Sequence, residues 1–559
     1  MFPSQDLSNL EVIDLSECRK LENLPDLTNA KRLRWVNLSG CEKLRYLHPS
    51  VLSAGKLATL LLDRCTNLVQ VKSEKRLESL KKISVNGCSS LREFEVRSHL
   101  IEKLDLSKTA IRTLHTSIGD IKNLKSLNLE GLRLESLVKE LSKLKSLEYL
   151  NLSRSGLKFE KDQLRVLFDG LKSLAKLHLK HCINLFELPD NMDALSQLNE
   201  LRLDGSSITA LPASIKNLTR LEILSLENCN QLVRLPELPA SIKELNINNC
   251  ASLESLSSLR SSASKMIGKM KHILAQDCLK LGNKDSIVED LLLTMASAAF
   301  HNVLVRSYDN RLHSYNYNRV EACLSGKSVP RQFKNRTIES SSITIVRTPN
   351  PAAVLGFLLS AVLSPSPEAK QGMETSHIYC RCYSADGTPI GDCTSWSSAI
   401  DNLHSDNLFV WYDPYFCDSV IKTHEKQVSF EFSSDDGLGV IKDCGVRVIG
   451  PSEFHRVLWG ITLEYDQKVE LGVKLGLALD IQRQADSESE LDLTNLLFAL
   501  EYRWKLKPQM ESELESRRKE MAEIITREID KLRLSVYPPR PAVDSITRGL
   551  IDILPNLDK

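Results

Sequence analysis

What the chain lacks narrows its role first. No charge of one sign prevails: 73 lysines and arginines offset 72 aspartates and glutamates over 559 residues. Nucleic acid or an anionic membrane therefore finds no global field to follow, and partners must be recognised through local patches. The most apolar run, Ala352 to Leu363, has 12 residues, whereas a bilayer-spanning helix needs about 20; it is expected as a buried strand. The opening MFPSQDLSNL carries neither a basic stretch nor an apolar core, so no secretory signal is read there. Fourteen cysteines without such a signal point to reduced thiols and to the cytoplasm or nucleus. Catalytic signatures are missing as well. The nearest approach to a phosphate loop, EACLSGKS, ends on Gly326-Lys327-Ser328 but opens on Glu321, where glycine is required. Zinc-protease, nucleophile-elbow and paired-cysteine zinc patterns do not occur. The chain is read as non-catalytic, without cofactor or metal.

What is present is a spaced phrase that recurs. Aligned on L-x-x-L-x-L-x-x-C-x-x-L, about a dozen copies open at Leu10, Leu33, Leu57, Leu80, Ile101, Leu124, Leu147, Leu174, Leu198, Leu221, Ile242 and Met270, mostly 21 to 24 residues apart. That is the period of leucine-rich repeats, in which one short strand per repeat stacks into a parallel sheet and the remainder returns along the convex side. The ninth position turns the chain inward after the strand. It needs a side chain that is small, mostly apolar and able to donate weakly to a nearby carbonyl, and cysteine meets all three demands. Cys18, Cys41, Cys65, Cys88, Cys182, Cys229, Cys250 and Cys278 occupy it, while Thr109, Ser155 and Ser206 stand in elsewhere. Neighbouring ladder positions would lie about 5 Å apart, and in a reducing compartment they are read as free structural thiols.

Side chains alternate faces along a strand, so positions four and six enter the core while three, five and seven line the concave surface. Among the concave residues, Trp35, Leu61, Tyr149 and Ile223 are large apolar groups expected to face solvent. Lys176, His178, Lys180 and Arg202 are expected to form a basic cluster on two neighbouring repeats. Lys82, Asp63, Asp204, Glu227 and the asparagines Asn37, Asn86, Asn151, Asn246 and Asn248 share that face. A solvated sheet explains any one of them. Together they point to a ligand-binding surface, because aromatics and arginines dominate protein interfaces. The first copy, at Leu10, has no polar capping element before it, which is read as a fragment or as a segment upstream that covers it.

After Leu281 come apolar residues at helical spacing, Ile287 to Val305, expected as a helix capping the last repeat. From about Asn318 the period shortens. SSITIVR, AVLGFLLSAVL, SHIYCRCYS, DNLFVWYD, QVSFEFSS and DCGVRVIG read as strands separated by turns, an antiparallel sandwich of roughly 130 residues. Cys380 and Cys382 share one strand face and are read as core rather than as a redox pair. Asp435-Asp436-Gly437 is read as a hairpin turn, not a calcium loop. Beyond about residue 467 the chain is polar, with a helix expected at about 508–534 that starts near Pro508 and carries the stripe Leu514, Met521, Ile525 and Leu532. The expected architecture is an α/β leucine-rich-repeat solenoid (5–282), a capping helix and linker (283–317), an all-β sandwich (318–450) and a helical tail (451–559).

Two sets of residues carry a resemblance. The cysteine ladder and the recurring Leu-Pro phrase (Leu24-Pro25, Leu188-Pro189, Leu211-Pro212, Leu235-Pro236) resemble the repeat region of plant intracellular immune receptors of the TIR-NB-ARC-LRR class. CLSGKSVPRQFKNRTIESSSITI (323–345), Gly356-Phe357, HIYCRC, NLFVWYD, VSFEF and IKDCGVRVI are similar to the post-repeat jelly-roll domain of that class, C-JID. Ser325-Gly326 stands where the family usually reads Pro-Gly, and Arg331-Gln332-Phe333 where it reads Glu-Trp-Phe. The resemblance covers about residues 5–450 and implies that the sandwich is a jelly roll. It further implies a protein ligand, a pathogen effector or guarded host protein, held by the concave face and the sandwich loops. In that family, binding releases an NB-ARC switch and assembles TIR domains that cleave NAD. Neither domain is read in this sequence, so the resemblance implies recognition, with signalling left to absent N-terminal domains or a partner receptor. The competing expectation is an intracellular repeat adaptor with an endogenous protein partner.

Overall fold

The computed structural model describes residues 7–450 apart from 135–138, 257–271, 283, 309–318, 347–353, 355, 366–376, 397–403, 422, 424 and 436–438. The expected tail helix at 508–534, and Met270 at the opening of the last copy, lie outside the described residues.

Each copy of the phrase contributes one short strand, from Val12–Asp14 and Trp35–Asn37 to Glu244–Asn246 and His272–Ala275. Twelve such strands pair in parallel, with position three opposite position three of the next copy. Val12, Trp35, Thr59, Lys82, Lys103, Ser126, Tyr149, Lys176, Glu200, Ile223, Glu244 and His272 thus form one row across the sheet. Positions four and six point the other way, so Val36, Leu38, Leu60 and Leu62 are fully buried. A slip of one residue would send these side chains into water, which pins the register.

Every copy ends its strand in the same manner. Position eight lies at positive φ in all twelve, as glycine at Gly40, Gly87, Gly131 and Gly205 and as another residue at Glu17, Arg64, Lys108, Arg154, His181, Asn228, Asn249 and Asp277. The left-handed conformation costs a non-glycine residue about 1 kcal/mol. A hydrogen bond offsets it: the position-eight N–H donates to the position-seven carbonyl of the next copy, as from Glu17 to Ser39, Arg64 to Asn86 and Lys108 to Glu130, each at 2.7 Å. The same turn swings position nine inward. Cys41, Cys65, Cys88, Cys182, Cys229, Cys250 and Cys278 are fully buried. Each Sγ–H donates to the position-six carbonyl of the preceding copy, on Leu15, Leu38, Leu62, Leu152, Leu203, Leu226 and Ile247 in turn, at 3.0 to 3.4 Å.

Cys18 departs from the ladder. It is exposed, because no described copy precedes it to offer a carbonyl or cover the sulfur. All fourteen cysteines are free thiols, and burial pushes the Cys182 thiol up to about 11, which keeps it protonated and inert at neutral pH.

The sheet does not stop with the repeats. Val320–Ser325 pairs in parallel with His272–Ala275 and, on its other edge, antiparallel with Asn407–Tyr412. Gly356–Pro365 and Gly439–Ile449 follow, with Asn335–Arg336 at the far side, giving one sheet of seventeen strands. A second, antiparallel sheet of Ser342–Val346, Gln427–Ser434, Ile378–Ser384 and Thr394–Ser395 faces it. Aromatic rings fill the space between, Phe357 against Phe430 at 5.5 Å and Trp411 against Phe432 at 5.9 Å between centroids. Cys380 and Cys382 are buried, with Arg381 exposed between them.

Two expectations change here. The helix Lys284–Tyr308 packs on the Val320–Ser325, Gly356–Pro365 and Asn407–Tyr412 strands. It covers the handover between the two regions instead of closing the last repeat, because a continuous sheet leaves no end there to close. The antiparallel region is also not all-β: Pro414–Ile421 is a helix. Asp413 starts it, accepting the N–H groups of Tyr415 (3.0 Å) and Phe416 (3.2 Å) on Oδ1, with Pro414 in the first turn where its missing N–H costs nothing.

Candidate recognition surface on the concave sheet

The position-five side chains are mostly committed to the sheet itself. Asp14, Asn37, Asp105, Asn128, Asn151 and Asn246 each accept the backbone N–H two residues on. Asn37, Asn128 and Asn246 also donate sideways to Asp14, Asp105 and Glu227 at 3.0 to 3.2 Å. Asn86 donates to Ser107. The asparagines placed on the concave face by alternation thus serve as a polar ladder that holds the strand ends.

The four apolar candidates, Trp35, Leu61, Tyr149 and Ile223, are half-buried. Part of each remains open to solvent. Tyr149 packs edge-on against His178, with ring centroids 5.2 Å apart. Ile223 borders a shallow depression of about 280 Å³ lined by Arg202, Ser225, Glu244, Asn246 and His272.

Lys176, His178, Lys180 and Arg202 are brought together, but not as a free basic cluster. Glu200, opposite Lys176 in the row, is buried among them. Its carboxylate meets Lys176 Nζ at 2.8 Å, His178 Nε2 at 3.1 Å and the Arg202 guanidinium. Burial alone raises the Glu200 carboxyl, yet hydrogen bonds from Lys176 and Arg202, with the charges of Arg202 and His178, hold it at about 2. Burial lowers His178 from its ordinary value, against the pull of Glu200, so the ring is neutral at pH 7. With Nε2 donating to Glu200, Nδ1 is left facing the Tyr149 hydroxyl at 3.5 Å. Lys180 reaches Asp204 at 2.9 Å, and Asp204 also accepts from the Ser225 hydroxyl and the Glu227 N–H.

Two residues of weight escaped the reading of the sequence, Glu200 and Lys103. Both occupy position three, in the copies opening at Leu198 and Ile101, so the template that selected Trp35 and Tyr149 also points to them. Glu321, which spoiled the phosphate-loop pattern, is fully buried, within ion-pair reach of His272 (3.3 Å) and Arg319 (2.6 Å). It belongs to the join between the two regions.

The fold defines a leucine-rich-repeat protein with an antiparallel β region in continuation. The chain is homologous to the C-terminal part of plant TIR-NB-ARC-LRR disease resistance proteins. It is 30% identical over 480 residues to the SUPPRESSOR OF npr1-1, CONSTITUTIVE 1 protein of Arabidopsis thaliana, covering 80% of this chain and 30% of that protein. It is 24% identical over 504 residues to disease resistance protein RPS4B of the same plant, covering 84% and 41%. With TMV resistance protein N of Nicotiana glutinosa it shares 28% over 301 residues, covering 44% and 26%. The chain therefore spans well under half the length of these relatives. No family model matches it. Solved structures similar to it include the leucine-rich-repeat domain of the type III effector XopL (25% identity, 36% of this chain and 72% of that one, TM-score 0.29). The internalin InlJ of Listeria monocytogenes is another (18%, 47% and 61%, TM-score 0.29). No helix among the described residues is long and apolar enough to cross a membrane.

Proposed function

We propose that this chain is the recognition part of a plant immune receptor, holding a pathogen effector or a guarded host protein on its concave sheet. The observation that carries this reading is the row from Trp35 to Ile223. It mixes half-buried apolar groups with charges, and no other described segment lies over it. Homology with disease resistance proteins supports an immune role for that surface.

The chemistry required is adhesion, not catalysis. Trp35, Leu61, Tyr149 and Ile223 are already half-buried, so covering them with a ligand releases water at a reduced further cost in side-chain entropy. The ion-paired group around Glu200 gives a rigid polar centre between Tyr149 and Ile223. Loops of the sandwich extend the grip, and the signal that follows is made by NB-ARC and TIR domains lying upstream or on a partner receptor, in the cytoplasm or nucleus. Replacing Trp35 and Tyr149 together by alanine weakens capture of a cognate effector by at least about tenfold, as two interface anchors of about 1 kcal/mol or more each require, while the circular dichroism spectrum is unchanged. Equal capture by the double variant and the parent rejects the assignment.

A further inference from the structure

We infer that the second to fifth copies take an acidic, extended segment of the partner protein, laid across the strands from Trp35 to Lys103; this rests on the recognition role proposed above. Lys82 and Lys103 lie directly opposite each other on adjacent strands. Both are exposed, and neither has a carboxylate within 4 Å among the described residues. Adjacent strands are about 4.8 Å apart, and like charges directly opposite destabilise a sheet. No ion pair in the described chain relieves this repulsion. Exposed Lys81 and Lys125 flank the pair at position two of the fourth and sixth copies, and exposed Arg34 stands beside Trp35, again without ion-pair partners among the described residues.

The carboxylates nearby make no ion pair with either lysine. Asp63 accepts from the Ser84 hydroxyl and the Asn86 N–H, and Asp105 accepts from Ser107 and Asn128. Half-buried Glu102 is the one acidic residue at position two between Arg34 and Lys125. In the eighth and ninth copies, by contrast, Lys176 and Arg202 share the carboxylate of Glu200, and Lys180 pairs with Asp204. Among the described residues, Arg34, Lys81, Lys82, Lys103 and Lys125 are thus without ion pairs, and Lys176, Lys180 and Arg202 are paired.

Spacing sets the shape of the ligand. Trp35, Thr59, Lys82 and Lys103 are consecutive in the row, so Trp35 and Lys103 are three strand spacings, about 14 Å, apart. An extended chain advances about 3.4 Å per residue. A segment with an aromatic or aliphatic residue over Trp35 and Leu61 then brings acidic residues two and four positions further on, which share its face, within reach of Lys82 and Lys103. A protein segment fits better than nucleic acid, which draws its affinity from many phosphates in succession. Here the row runs from two lysines into Tyr149 and the neutralised Glu200 group.

Selection of a random twelve-residue peptide library displayed on phage, against the full chain, tests this. Enriched peptides carry acidic residues two and four positions from an aromatic or aliphatic one. The Lys82→Glu/Lys103→Glu variant, exposed at both positions and checked for an unchanged circular dichroism spectrum, loses at least about tenfold in affinity for them at low salt. Peptides without an acidic excess overturn the inference. If those peptides still lose binding in the Trp35→Ala/Tyr149→Ala variant, the concave-face reading survives; if they do not, both fail. A 20-nucleotide single-stranded DNA bound more tightly than the selected peptides also overturns it.

Discussion

Lys176, His178, Lys180 and Arg202 lie on the eighth and ninth copies and Lys82 and Lys103 on the fourth and fifth, all on one face of one sheet. The first group ends on Glu200 and Asp204; the second ends in solvent. Where a carboxylate occupies the row, the cations around it become part of the fold, and their removal is felt as stability. Where none does, the charge remains available to a ligand, and its removal is felt as binding. A count of basic residues along the sequence cannot separate these cases, because the deciding residue sits one repeat, some 20 positions, away.

The largest effect that would break this comparison is at Glu200. Glu200→Ala strands two cations, Lys176 and Arg202, around a buried position and should destabilise the fold by about 2 kcal/mol, less than for a fully dry pair because Lys176 stays half-exposed. Urea titration measures it. Because folding holds this carboxyl at about 2, below the ordinary 4.5, its stabilisation is complete above about pH 4.5 and lost as pH falls towards 2. Glu200→Gln should flatten that part of the stability profile. His178 acts in the same direction at higher pH: burial lowers its pKa from 6.5, so the unfolded chain gains a proton first and stability begins to fall as pH drops below 6.5.

The cysteine ladder offers a parallel contrast between interior and end. Cys229→Ala removes a buried sulfur and one of two donors to the Leu203 carbonyl, the Ser206 N–H remaining, a loss of about 1.5 kcal/mol. Cys18→Ala, at an exposed thiol, should change stability by less than about 0.5 kcal/mol. In the native protein a thiol reagent should label Cys18 and Cys393, the two exposed cysteines, and reach the other twelve only on unfolding. Rapid labelling of Cys229 or Cys250 in the folded chain would contradict the ladder. The smallest effect sharpens the charge argument. Lys82→Glu replaces an in-register like-charge pair by an opposite one, and should raise stability by about 0.3 kcal/mol at low salt, fading as salt is added.

Much of the solenoid was legible because its physics is local and repeated. The leucine spacing specifies which faces are buried, and the demand for a small inward donor at position nine explains Cys41 or Cys250 without any coordinates. Cys18 was misread because the template describes a residue's own copy, while the burial of each thiol depends on the copy before it. The left-handed position eight was missed, since eight of its twelve residues are not glycine and only the lateral hydrogen bond reveals why they tolerate it. The helix at Pro414–Ile421 had a visible signal in Asp413-Pro414 that strand-rich surroundings obscured. That the sheet runs on from His272–Ala275 into Val320–Ser325 was not visible, because this pairing joins segments almost 50 residues apart with no shared pattern. On the candidate surface, alternation assigned the faces. It could not say which polar groups would find each other across neighbouring strands.

The most direct test of the central claim is hydrogen–deuterium exchange of the full chain with and without a saturating protein ligand. Protection is predicted on the segments containing Trp35–Asn37, Thr59–Leu61, Lys82–Ser84 and Lys103–Asp105, and on those containing Tyr149–Asn151 and Ile223–Ser225. Protection confined to the convex turns, such as Ala213–Asn217, would contradict the claim that the concave sheet is where this protein meets its partner.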